Sequence, residues 1–147
     1  FQSRFVEAAR ELGRHMRELY GLSVRLHVPD DSVDAPLHLR ASLYHGLRQL
    51  LQNVVKHANT DEADVYLETI RTGKQGDIFR ITVQDEGQGF DPGVIERPLT
   101  RDGGFGLRHL RERLEDQDGC FTIESVPGDG ARAILEIPLQ HHEEQPR

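Results

Sequence analysis

Hydrophobic residues along this chain change period several times, and each change marks an element. Phe5, Ala8, Ala9, Leu12, Met16, Leu19 and Tyr20 recur at helical spacing and predict a first helix that stops at Gly21. Val24 to Val28 then alternates as a half-buried strand, and the polar stretch P-D-D-S-V-D-A-P connects it to a second helix opened by Pro36. From Leu43 to Ala58 a sustained stripe of Leu43, Tyr44, Leu47, Leu50, Leu51, Val54, Val55 and Ala58 makes this the clearest helix in the chain. Strands over Ala63 to Thr72 and Asp77 to Gln84, separated by Gly73-Lys74-Gln75-Gly76, predict an antiparallel hairpin. Leu107, Leu110 and Leu114 mark a third helix beginning at Gly106, and strands over Cys120 to Val126 and Ala131 to Pro138 flank the turn P-G-D-G. Between Phe90 and Gly104 two prolines and no period predict a long loop, and long loops inside compact domains tend to be functional.

Composition narrows the class. A chain of 147 residues suits one domain and can bury roughly 70% of its unfolded surface. With 36% hydrophobic and 29% charged residues, and no apolar run near the ~20 residues a membrane helix needs, no membrane contact is expected. The net charge of -7 supplies no basic footprint for nucleic acid, whose binding rests on cationic contacts to phosphate. Cys120, the single cysteine, cannot form an internal disulfide; it fits a reducing, cytoplasmic setting and is expected to be a small core residue. The chain starts at Phe1 with no signal-like segment, so it is expected to be a piece of something longer. The tail H-H-E-E-Q-P-R is polar, and its two histidines are too few for a metal site.

Three local features carry candidate chemistry. The stretch D-E-G-Q-G-F from Asp85 to Phe90 ends a strand on a carboxylate and then places Gly87 and Gly89 around one polar residue. Alone it reads most simply as a turn. On the second helix, Gln49, Asn53 and Lys56 fall together opposite the apolar stripe. They make either a solvated helix face or a site in which Asn53 gives an oxygen to hydrated Mg²⁺ and Lys56 meets a phosphate. Finally, G-G-F-G-L-R-H-L from Gly103 feeds glycines into a helix N-terminus, where unpaired amides attract anions. Together the three suggest a base end and a phosphate end.

In this order, L-R-Q-L-L-Q-N-V-V-K-H-A, D-E-G-Q-G-F, G-G-F-G-L-R-H-L-R-E-R-L and P-G-D-G-A-R-A-I-L-E-I-P-L resemble the ATP-binding catalytic domain of sensor histidine kinases. They look like the subclass similar to the nitrate sensors, within the ATPase superfamily shared by gyrase, Hsp90 and MutL. The resemblance covers roughly Leu12 to Leu139 and implies an α+β fold. This is a two-layer α/β sandwich whose mixed, mostly antiparallel sheet of five strands carries three helices on one face. It implies one ATP-binding domain over residues 1–147, with a leading helix over 1–20, a core over 21–139 and a tail over 140–147. By the same resemblance Asp85 accepts a hydrogen bond from the adenine amino group, and Gly87 and Gly89 let the backbone pass close to the base. Asn53 holds Mg²⁺ between the phosphates of ATP, with Lys56 and His57 in the same cleft. Asp91 to Gly104 forms the ATP lid, Gly104 and Gly106 hinge it into the helix that carries Leu107, and Arg97 and Arg101 are candidate phosphate contacts.

Two departures from the family pattern bear on chemistry. The family has glutamate four residues before the asparagine, where this chain has Gln49. An amide cannot accept a proton at neutral pH, so Gln49 is expected to suppress hydrolysis of ATP while leaving transfer to a histidine intact. Ala131 stands where the family has threonine at the adenine end, which removes one hydroxyl contact worth about 1 kcal/mol. The stretch A-A-R-E-L-G-R-H from Ala8 resembles the family's acceptor motif A-R-E-L-H-D but has glycine and arginine in place of its His-Asp pair. The acceptor is therefore expected on a dimerisation domain upstream, in a full-length homodimer that passes phosphate to a response regulator; the piece alone is expected to be monomeric. The alternatives are an anti-sigma-type serine kinase, and a degenerate nucleotide-binding or interaction module favoured by Gln49 and Ala131.

Overall fold

A computed structural model describes residues 4–29, 35, 37–58, 60–71, 76–87, 104–126 and 130–139. In chain order the elements are α1 (Arg4–Tyr20), β1 (Ser23–His27), a 3₁₀ turn (Leu37–Leu39) that runs into α2 (Arg40–Asn53), a π-helical turn (Val54–Ala58), β2 (Glu62–Arg71), β3 (Asp77–Asp85), α3 (Gly104–Asp116), β4 (Cys120–Val126) and β5 (Gly130–Leu139). The five strands form one sheet in the order β1-β2-β3-β5-β4. Only β1 and β2 run parallel, as a crossover through α2 requires; the other pairs are antiparallel. The fold is thus the α+β sandwich expected from the sequence.

Alternation along the strands builds the core. Phe79, Ile81 and Val83 of β3 face the helices, and register sets them opposite Ile137, Leu135 and Ala133 of β5. Phe5 of α1 meets Phe79 edge-on, with ring centroids 5.7 Å apart at 87°. At the end of α1, Gly21 adopts φ 72°, while its amide bonds the Arg17 carbonyl at 2.9 Å and the Leu22 amide bonds Met16 at 3.3 Å. This pair of bonds turns the chain so that Leu22 is buried. Leu19 and Tyr20, which the periodicity placed on the apolar stripe, are instead 70% and 50% exposed. The stripe's contact with the sheet ends at Met16, one turn before the helix does.

Cys120 also departs from expectation. It is exposed, and its Sγ lies 3.5 Å from Glu136, which accepts a 2.7 Å bond from Arg80. Register explains the error. Cys120 pairs with Glu136, whose even-numbered neighbours on β5 point away from the helices, so an apolar residue at a strand start fell on the open face.

That open face carries an ion-pair cluster at the β1–β2 edge. Arg25 donates to both oxygens of Asp64, at 2.8 and 3.0 Å, and His27 Nε2 lies 2.8 Å from Asp64 Oδ1. The Arg25 guanidinium, opposed by partial burial and assisted by His27, holds Asp64 down to about 2. A lowered folded-state value means that the pairing stabilises the fold above the ordinary carboxylate range and is lost as pH falls through about 2. Acid denaturation of Asp64→Asn should accordingly show a shallower loss of stability below about pH 4 than the native chain. Identical acid branches would remove Asp64 from this account.

Candidate functional site

Asp85 is the last residue of β3 and continues the Phe79, Ile81, Val83 face, so strand alternation alone aims its side chain into the helix layer. A carboxylate there is only 7% exposed. Burial raises its proton affinity above the ordinary carboxylate range, and the backbone N–H groups of Gly87 and Ala131 oppose that shift by donating to it. The Gly87 bond is 2.9 Å to Oδ1. Ala131 is the direct cross-strand partner of Asp85 on β5.

Opposite this carboxylate lies the end of α2. Asn53 is 9% exposed and, with Leu50, Val54, Val83, Asp85, Ala131 and Ala133, encloses a small cavity of about 20 Å³. That volume holds about one water. Asn53 is therefore a buried amide beside a buried carboxylate, and the reading of its helix face as merely solvated does not hold for it. Immediately after Asn53 the helix widens into the π turn of Val54–Ala58, which the periodicity did not predict. Such turns are rare and cluster at functional sites. Lys56 lies on this turn and is exposed.

Gln49 does not join Asn53. It lines a separate groove of about 260 Å³ between α2 and α3, together with Ser42, His45, His109 and Arg113. The two helices run antiparallel, since Arg113 reaches Ser42 at 3.3 Å while a Cβ placed on Gly46 would lie 2.7 Å from Leu110. The N-terminal turn of α3 is thereby directed toward the Asn53 end of α2. That turn begins at Gly104, two residues earlier than the sequence predicts, so Gly104 and Gly106 are both helical rather than a hinge preceding the helix. Glycine's low helix propensity is what moved the predicted start to Gly106. Leu107 and His57 lie on the backbone of α3 and the π turn. Gly89, Arg97, Arg101 and the rest of the expected lid before Gly104 lie outside the described residues, as does the polar tail.

Sequence reasoning missed the apolar walls of the Asp85 cavity, Leu50, Val54, Val83 and Ala133, as site residues. It also missed the α2–α3 groove. No local pattern joins positions 42 and 113, which meet only because the helices pack.

A carboxylate ending a strand, a buried asparagine lining the same small cavity and an α3 N-terminal turn lying toward the Asn53 end of α2 agree with the ATPase domain that the sequence resembles. The chain belongs to the family described as histidine kinase-, DNA gyrase B-, and HSP90-like ATPases, whose family model matches residues 38–141. It is 31% identical over 108 residues to the signal transduction histidine-protein kinase/phosphatase DegS of Brevibacillus brevis, covering 74% of this chain and 25% of that protein. It is 28% identical over 136 residues to the kinase/phosphatase UhpB of Salmonella typhimurium, covering 92% of this chain and 25% of that one. The chain thus spans about a quarter of the length of these relatives. Its fold matches the histidine kinase domain of the blue-light activated histidine kinase from Erythrobacter litoralis EL346, with a TM-score of 0.67 and 21% identity over 92% of this chain and 60% of that one. Among the described residues no helix is long and apolar enough to cross a membrane.

Proposed function

We propose that this domain binds Mg-ATP with the adenine amino group on Asp85 and presents the γ-phosphate to a histidine on a separate dimerisation domain, from which a response regulator is phosphorylated. The observation that carries this reading is the buried Asp85 carboxylate facing the buried Asn53 amide. Gly87 and Ala131 hold the carboxylate so that it still presents an acceptor to an incoming N–H. Asn53 supplies one hard oxygen, and among the described residues no cluster of three acidic, histidine or cysteine side chains competes for a metal. That sparse donor set fits Mg²⁺, which keeps several waters and takes the rest of its ligands from phosphates. When bound, the ion would neutralise phosphate charge. The chain's own contribution is positioning: Asp85 anchors one end of the nucleotide, and the α3 N-terminus offers amides to the other.

Titration of the domain with labelled ATP, with and without Mg²⁺, tests this directly. Saturable binding strengthened by Mg²⁺ is expected; no binding up to millimolar nucleotide would overturn it. Gln49→Glu probes the hydrolysis argument separately. Because a carboxylate can take a proton from water where an amide cannot, the variant should hydrolyse Mg-ATP severalfold faster than the native domain. An unchanged basal rate would show that Gln49 does not restrain hydrolysis.

A further inference from the structure

We propose that the groove between α2 and α3 is an anion-binding site, separate from the Asp85 cavity, that takes a carboxylate or phosphate group. Every polar side chain lining it can donate a hydrogen bond: the Ser42 hydroxyl, the His45 and His109 imidazoles, the Gln49 amide and the Arg113 guanidinium. None of the lining residues is acidic, although the whole chain has 25 acidic against 18 basic residues. Gly46 packed against Leu110 forms its apolar base. At about 260 Å³ it is below the roughly 300–1,000 Å³ of drug-sized pockets and suits a single anionic group.

A second feature, independent of the cavity's shape, points the same way. Between Asp34 and Asp61 the sequence contains no acidic residue, while it carries Arg40, Arg48 and Lys56. The α2 side of the groove thus carries no negative charge in a chain of net charge -7, although these three cations do not themselves line the groove. Facing it, α3 does carry acids, but Glu112 is turned toward Arg108, at 3.9 Å, and none of Glu112, Glu115 and Asp116 lines the groove. Arg113 gives one N–H to Ser42 at 3.3 Å, and its planar guanidinium fork has the geometry to receive the two oxygens of a carboxylate or phosphate.

Gln49 is shared with the hydrolysis argument above; the other groove residues play no part in the nucleotide reading, and none of the groove residues lines the Asp85 cavity. The test is a nuclear magnetic resonance titration of the His45 and His109 ring protons in the nucleotide-free chain, with inorganic phosphate and, separately, with a short blocked Asp-Glu peptide. Saturable shifts of both rings are expected. Arg113→Gln should weaken the response at least fivefold and Arg113→Lys by less, while Asp85→Asn should leave it unchanged. If Arg113→Gln does not fold, His45→Ala, at an exposed position, should give the same direction of loss. Saturation by phosphate alone assigns the groove to free phosphate, and saturation by the peptide alone assigns it to a carboxylate-bearing partner. Absence of saturation by either at millimolar concentration, or an unaltered response in the foldable variant, overturns the proposal.

Discussion

Asp85→Asn should weaken ATP binding by roughly 10- to 150-fold or more, the value of a hydrogen bond to a charged group, and should leave the melting temperature at or above that of the native chain. Geometry makes the affinity loss follow from one atom. Backbone N–H groups of Gly87 and Ala131 already donate to the carboxylate, so an asparagine would turn its single oxygen to them and present its NH₂ to the cleft. An adenine amino group would then meet a donor. The stability half follows from linkage. Burial raises Asp85 in the folded state, so the folded chain holds that proton more tightly than the unfolded chain. Its contribution to stability is then fullest at low pH and is lost as pH rises through the raised value, leaving a buried charge that opposes folding at neutral pH. An uncharged amide relieves that cost. Calorimetric titration with ATP and a thermal melt at neutral pH check both halves; wild-type affinity would return Asp85-Glu86-Gly87 to the role of a turn.

Gly130→Ala should lower both the melting temperature and the affinity for ATP. Gly130 has φ +96°, a region that residues with a Cβ rarely adopt, and the strain costs roughly 1–3 kcal/mol. A Cβ there would also stand 2.5 Å from the Asp85 carbonyl oxygen and 3.0 Å from the Glu86 Cα. Both are backbone atoms that no rotamer change can move. The clash pushes on the residue proposed to anchor the base, so stability and binding should fall together, unlike in Asp85→Asn. A melting-temperature drop of about 5 °C or more is expected. A variant with native melting temperature and affinity would show that the β4–β5 turn does not support the site.

Much of the candidate site was legible because its motifs are local. The carboxylate ending β3, the asparagine on α2 and the glycines opening α3 each lie within a few residues of sequence, and the resemblance to histidine kinase domains supplied their expected roles. Apart from the second helix, expected from Pro36 to Ala58 but spanning Arg40–Asn53 between a 3₁₀ and a π turn, element boundaries came within one or two residues because hydrophobic period is itself a local property. What failed did so where register or packing decides. Leu19 and Tyr20 share the stripe's spacing yet lie past the edge of the sheet, and Cys120 sits on the open face because its pairing with Glu136 fixes its side. Gln49 and Asn53 share a helix face on a wheel, but α3 packs beside one and the sheet beside the other, which splits them between two cavities.

By itself the sequence determined the elements, their order and the identity of the chemical groups, since these depend on side chains a few positions apart. Only the tertiary structure decided that Asp85 is buried against Asn53, that α3 lies antiparallel to α2, and that Ser42 and Arg113 wall one groove. Those relations join residues up to 71 positions apart. Long-range pairings of this kind are set by how sheet and helices close on a shared core, which no local period encodes.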